Sequence, residues 1–315
     1  MSSDTTKGET VADLKFGFFA QILDPPGAPI PRWSDVRGWV HATEEAGFDT
    51  FWVPDELVWR VQDPEKRMGF WECVAMTGAA AAESSTIEVG TWVLSALHRN
   101  PGLTAKVATT LDEIAGGRFI FGFGSGHAGP QGEAFGFPLD KTVSRYEEAL
   151  KIVVPLLREG EANYAGEYHT AVNQPLTPLG PQGMNIPIML GGHGPRTMGL
   201  AVDYADIWSA FTTTSAYPTA FEEMTKRLDG ILEDAGRDPS SLGRSIGVPV
   251  AAPGEEPEGP FKDVETISGS FDHIVDTLVS FTELGVDRLE LLPASLPESG
   301  WIQAMAPVLE AIREA

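Results

Sequence analysis

Short apolar runs alternate with longer amphipathic ones from residue 14 onward. The runs "LKFGFFA" (14–20), "DTFWVPD" (49–55), "TIEVGTWVLSA" (86–96), "RFIFGFG" (118–124), "IPIMLGG" (186–192), "DIWSAF" (206–211), "RSIGVPVAA" (244–252) and "DRLELLP" (287–293) have strand length and are nearly all apolar. Such runs, rather than in–out alternation, fit a parallel sheet covered on its outer face by helices. Each precedes a stretch with helical spacing: 33–47, 71–84, 101–117, 141–160, 194–205, 217–236, 270–285 and 299–315. Trp33, Val36, Trp39 and Val40 set that spacing in the first, while Pro101 and the Gly116–Gly117 pair bracket the third.

Eight strand–helix units in order predict a closed (β/α)8 TIM barrel. An open doubly wound sheet is the runner-up, but it more often stops at about five or six strands. The 315 residues suit a barrel of about 250 residues with additions. The expected organisation is a flexible leader over 1–13 and one barrel domain over 14–315. Residues 161–185 are too long an irregular run for a connector and are expected to form a rim insertion, a small hairpin with a lid.

Composition narrows the function classes. With 42% hydrophobic and 21% charged residues, the chain can bury a sizeable core. Its 45 acidic against 22 basic residues give a net charge of −23, a field that repels phosphate backbones and anionic membrane surfaces. Neither nucleic acid nor membrane is an expected partner. Such a surface suits a salty cytoplasm as well as it suits solubility. Cys73 is the only cysteine, which excludes an intrachain disulfide and a cysteine-based metal cluster and fits a reducing compartment. The start has no apolar core of signal-peptide length, and no run reaches the ~20 apolar residues of a membrane span, so a soluble cytoplasmic protein is expected. HExxH, CxxC, GxSxG and GxxxxGK[ST] patterns are missing, and no metal is expected.

In a barrel, chemistry belongs at the carboxyl ends of the strands. The second strand ends in Asp55 and Glu56, an acidic pair able to move a proton or cap a helix. After the third come the candidates Ser95, His98, Arg99 and Asn100; His98 and Arg99, just before Asn100-Pro101, are either site groups or helix-entry residues. The fourth ends in Ser125, Gly126 and His127, whose imidazole either serves a ligand or is satisfied by backbone. The fifth runs into "GGHGPRT". Gly191, Gly192, His193 and Gly194 offer free N–H groups at a helix start, with Arg196 in the first turn and the Thr197 hydroxyl beside it, a device for phosphate or simply a tight turn. Trp52, Trp92 and Trp208 fall on strands, where an aromatic fills core first and forms a platform second.

The segments "TFWVPDEL", "IEVGTWVLSALHRNPGLTAKVATTLDEIAGGRFIFGFGSG", "EAFGFPLDKTVSRYEEALKIV" and "IPIMLGGHGPRTMGLAVDYADIW", in that order, resemble the bacterial luciferase-like flavin and deazaflavin oxidoreductases. The resemblance covers most of residues 14–211. It implies a (β/α)8 barrel binding FMN or coenzyme F420, with the cofactor phosphate near Ser125, Gly191, Gly192, His193 and Gly194, and a non-prolyl cis peptide at Trp92–Val93 beneath the ring. Deazaflavin members commonly carry Asp-His after the second strand. This chain has Asp55-Glu56, so the Asp matches and favours F420 while the His does not. Hydride exchange with a small, apolar or aromatic substrate follows, with the matching proton moved by Glu56 or His127. Two alternatives stand beside it: an FMN-dependent monooxygenase served by a separate flavin reductase, and a flavin-binding barrel without catalysis. Dimers are common in the family, so a homodimer is also expected on the resemblance.

Overall fold

The computed structural model describes residues 11, 13–25, 27, 29–127, 129–261, 263–295 and 298–314. Eight parallel strands carry the fold: β1 (Lys15–Phe19), β2 (Thr50–Val53), β3 (Glu88–Thr91), β4 (Phe119–Gly124), β5 (Ile188–Gly191), β6 (Ile207–Phe211), β7 (Gly243–Val250) and β8 (Arg288–Pro293). They pair in chain order. Phe121 of β4 sits opposite Ile188 of β5, and Lys15 of β1 opposite Arg288 of β8, so the sheet closes into a barrel. Eight helices alternate with them: α1 (Trp33–Glu45), α2 (Cys73–Glu83), α3 (Pro101–Ile114), α4 (Thr142–Glu159), α5 (Pro195–Tyr204), α6 (Glu222–Ala235), α7 (Phe271–Ser280) and α8 (Glu298–Arg313). Among the described residues, no helix is long and apolar enough to cross a membrane.

Local chemistry explains the helix starts. Asn100 accepts from the N–H groups of Gly102 and Leu103 ahead of a Pro at N1, Glu72 from Ala75, and Ser270 from His273. Along β1, Phe16 and Phe18 point out to the helices, while Phe19 joins a cluster at the carboxyl end of the barrel. The outer cluster holds most of the core, and burying each large apolar side chain contributes roughly 1.5–3 kcal/mol. Inside, Trp52, Ile120 and Met189 pack as a separate lumen cluster. The two indoles in the lumen need bare backbone opposite them. A Cβ at Gly90 would fall inside the Trp52 ring, and one at Gly247 inside the Trp92 ring.

Some elements differ from those the pattern predicts. The run 86–96 is not one strand: β3 stops at Thr91, the Trp92–Val93 peptide is cis, and pairing resumes at Leu94–Ser95 against Phe123 and Gly124. Trp92 therefore lies in the break, off the strand. The loop after β2 contains a small hairpin, Val58–Trp59 with Met68–Gly69, and the loop after β4 a short helix, Pro130–Phe135. The expected 270–285 helix ends at Ser280 and continues as a 3₁₀ turn over Phe281–Leu284.

The 161–185 insertion does contain a hairpin, Glu161–Ala165 with Thr170–Pro175, but it does not form a lid on the barrel mouth. It leaves the C-terminal end of α4, the end of the barrel away from the strands' carboxyl termini. It then lies along the helix layer, where Glu148 of α4 accepts from the N–H groups of Glu167, Tyr168 and His169. The expected leader lies outside the described residues apart from Val11 and Asp13, and Val11 is buried.

Candidate active site

The carboxyl ends of β2 to β5 form one continuous rim. Asp55 and Glu56 leave β2 side by side, yet their surroundings differ. The Asp55 side chain is 1% exposed. It accepts from the Ser95 N–H at 2.8 Å and from Arg99 through both oxygens, at 2.6 and 3.0 Å, with His98 Nδ1 at 3.1 Å. Burial alone would raise its pKa, but the hydrogen bonds from His98 and Arg99 and the Arg99 charge outweigh that and hold it below the usual carboxylate range. Arg99 also reaches Glu72 at 2.7 Å, and the His98 ring stacks on Phe137 at 4.8 Å. Asp55 is thus a fixed anion at the centre of a network, closed to water.

Glu56 is half-buried, its side chain 15% exposed. Its Oε1 lies 2.8 Å from His127 Nδ1, and its Oε2 accepts from the Gln131 amide. Gln131 Oε1 in turn accepts from the N–H groups of Leu57 and Val58, which fixes the loop carrying the pair. The His127 side chain is 77% exposed. The hydrogen bond to Glu56 raises its pKa above that of a free imidazole, against an opposing contribution from burial. The pair borders a cleft of about 350 Å³ whose walls include Trp59, Arg60 and Pro130.

Gly126 links the two carboxylates to the corner of β4. It has φ +75°, and a Cβ there would fall on Ser95, the residue whose N–H holds Asp55. Beyond the cis bond, the Val93 side chain stands where a Cβ at Gly124 would fall and lies within van der Waals reach of one at Gly191, while the Thr91 carbonyl fills that place at Gly122, so Val93 packs across β4 and β5. Ser125 is half-buried on the same corner.

At the β5 corner, Gly192 has φ +148°, and a Cβ there would meet the Thr197 hydroxyl. The Gly192 N–H donates to Ser209 O at 3.1 Å, and the Trp208 indole donates to Gly192 O at 2.7 Å. Gly194 caps α5 with no side chain, and Pro195 follows at N1. The N–H groups of the first helical turn therefore have no intrahelical acceptor. Thr197 donates to Gly194 O at 3.0 Å, His193 is exposed, and Arg196 is held by Glu147 at 2.5 Å and Ser144 at 3.2 Å on α4. Backbone N–H groups at a positive helix end, rather than the Arg196 side chain, remain as the anion-receptive part of this corner.

Aromatic rings close the mouth. Trp92 meets Phe19 at 5.6 Å and Phe211 at 6.0 Å between ring centres, edge to face. Phe261, from the loop after β7, meets Phe19, Trp59 and Phe211 at 6.4, 6.4 and 6.2 Å. The sequence does not mark Gln131, Trp59, Phe137 or Phe261 as site residues, since they sit in loops, a two-residue strand or the six-residue Pro130–Phe135 helix, all too short for periodicity. His98 and Arg99 are visible in the sequence as either site groups or helix-entry residues; only the fold puts Asp55 under them.

A barrel that gathers its polar groups on the βα loops of one face belongs to the (β/α)8 enzyme class. Within that class, this chain belongs to the luciferase-like monooxygenase family, whose model matches residues 14–258. It is 28% identical over 209 residues to the 5,10-methylenetetrahydromethanopterin reductase of Archaeoglobus fulgidus, covering 66% of this chain and 58% of that one. It is 33% identical over 184 residues to a Mycobacterium tuberculosis protein provisionally named a coenzyme F420-dependent oxidoreductase, covering 54% and 48%. The chain thus spans less than two thirds of the length of these curated relatives. Its fold matches that of an F420-dependent secondary alcohol dehydrogenase in complex with an F420-acetone adduct, with a TM-score of 0.80 at 18% identity over 95% of this chain and 99% of that one.

Proposed function

We propose that the chain is a coenzyme F420-dependent oxidoreductase that exchanges hydride with a small apolar or aromatic substrate in the cytoplasm. The reading rests on the Glu56–His127 pair, 2.8 Å apart, set on the same rim as the glycine corners of β4 and β5. Deazaflavin is favoured over FMN by Asp55 after the second strand and by the F420 named for the M. tuberculosis relative. When bound, F420 supplies hydride chemistry with little reactivity toward oxygen.

The chain's own residues fit that group. The backbone of Gly191, Gly192, His193 and Gly194, with Ser125 and Gly126, would hold the phosphate, while Arg196, already paired to Glu147, would stay outside that contact. Trp92 and Val93 support the ring. His127 gives or takes the proton that accompanies hydride, and Glu56 holds its imidazole and stabilises the imidazolium, an arrangement worth typically about 10²–10⁴ in rate. Asp55 is too enclosed to exchange protons with substrate; it fixes His98, Arg99 and Ser95 and so the loop after β3. The aromatic rings at the mouth favour an apolar or aromatic substrate.

Titrating the purified protein separately with F420 and with FMN, and following fluorescence quenching, tests the reading. Tighter binding of F420 is expected. Preference for FMN supports an FMN-dependent monooxygenase served by a reductase, consistent with the family's name. Affinity for neither overturns both.

A further inference from the structure

The lumen beneath the mouth is not wholly apolar. The Trp92 indole N–H donates to Ser209 Oγ at 2.8 Å, Ser209 Oγ to Ser245 Oγ at 3.4 Å, and Ser245 Oγ to Glu290 Oε1 at 2.8 Å. The other Glu290 oxygen accepts from the Trp52 indole N–H. Ser209, Ser245 and Glu290 come from three successive strands and are 2%, 0% and 0% exposed. Arg288 Nε stands 3.6 Å from Glu290 and is buried without a hydrogen bond. Burial pushes the Glu290 carboxyl above its ordinary range, against the pull of Arg288 and the two donors.

A buried carboxylate costs more than an apolar side chain of the same size, so the barrel does not need one for packing alone. The geometry shows what it does. Each hydroxyl has one proton to give; Ser209 accepts from Trp92 and passes its own toward Ser245, and Ser245 passes its own to Glu290. An acceptor at the base therefore fixes the direction of every bond above it, up to the indole. With Gly247 leaving room on one side and Phe19 and Phe211 edge-on to it, the Trp92 ring has one seat.

We propose that Glu290, through Ser245 and Ser209, is a positioning residue for Trp92 and holds the floor on which the redox ring rests. The role of that floor rests on the F420 reading above; the coupling within the protein does not.

The test uses the full-length, cofactor-free protein labelled with 5-fluorotryptophan, with the Trp92 ¹⁹F resonance assigned by Trp92→Phe. Ser245→Ala and Glu290→Gln are each expected to move the Trp92 resonance and to leave that of Trp301, which donates to Val250 O at 2.8 Å, in place. A Trp92 resonance unmoved in both variants overturns the proposal. The second arm is a double-mutant cycle on F420 affinity. Glu290→Gln is expected to weaken binding about three- to tenfold in the otherwise native protein and not at all in the Trp92→Phe background. An equal loss in both backgrounds means that Glu290 supports the barrel generally, and the proposal falls. Where Glu290→Gln does not fold, Ser245→Ala carries both arms. Where F420 does not bind, the functional reading fails and the resonance arm alone decides the coupling.

Discussion

His127 pairs with Glu56 and His98 with Asp55, and the two pairs differ in what water can reach: the side chain is 77% exposed in His127 and 6% in His98. An exposed imidazole bonded to a carboxylate titrates above the ordinary value of about 6.5. The charged pair is then complete below the ordinary imidazole pKa and is lost as pH rises through the raised one. A ¹H NMR titration of the His127 ring should show that raised midpoint, and Glu56→Gln should bring it back down. In the direction in which His127 gives the proton, replacing it with Gln should remove the alkaline limb of the pH–rate profile and lower turnover about 100-fold with F420 bound. Asp55→Asn should act on stability instead. It leaves the Arg99 guanidinium without its buried counter-charge, and a loss of about 3 kcal/mol is expected in urea unfolding. Because its folded pKa is depressed, Asp55 contributes fully above the ordinary carboxylate range, and the contribution disappears as pH falls below it. Asp55, Glu56 and His127 are legible as candidates in the sequence, but their division of labour is not, because partners come from 40 to 75 positions away.

Among the elements, the apolar strand runs and the periodic helices are legible to within a few residues, since eight units repeat one grammar, with the broken 86–96 run as the exception. What escapes is structure made by contact rather than by pattern. The Val58–Trp59 hairpin has two residues per strand, too few for a period, and the Pro130–Phe135 helix has under two turns. The insertion hairpin is legible, but its site is not: Glu148, the carboxylate that draws three N–H groups onto α4, gives no sign in sequence of facing them. Two element-level variants test the packing account. Gly247→Ala places a methyl group inside the Trp92 ring and should cost about 1–3 kcal/mol in thermal or urea unfolding, with weaker F420 binding. Phe261→Ala removes the aromatic that the β7 loop sets against Phe19, Trp59 and Phe211, and stopped-flow mixing should show faster association and dissociation of F420.

For the whole molecule, the charge of −23 repels the anionic cofactor that the glycine corners are proposed to hold. Added salt screens that long-range repulsion within a Debye length of about 8 Å at 0.15 M and about 3 Å at 1 M. F420 affinity should therefore rise with salt over this range, the reverse of an interaction steered by a basic surface; isothermal titration at a series of salt concentrations checks it. The closed ring is legible from the count of units, whereas the pairing that seals it joins the two ends of the sequence. Lys15 to Phe18 lie against Arg288 to Leu291, and no nearer segment occupies that place. As the polypeptide leaves the ribosome, its first strand must wait with one flank bare until the last has been made, so this molecule cannot be finished piecemeal from its beginning. A chain stopped before residue 288 would keep two raw sheet borders, ready to pair with any neighbour in the same condition.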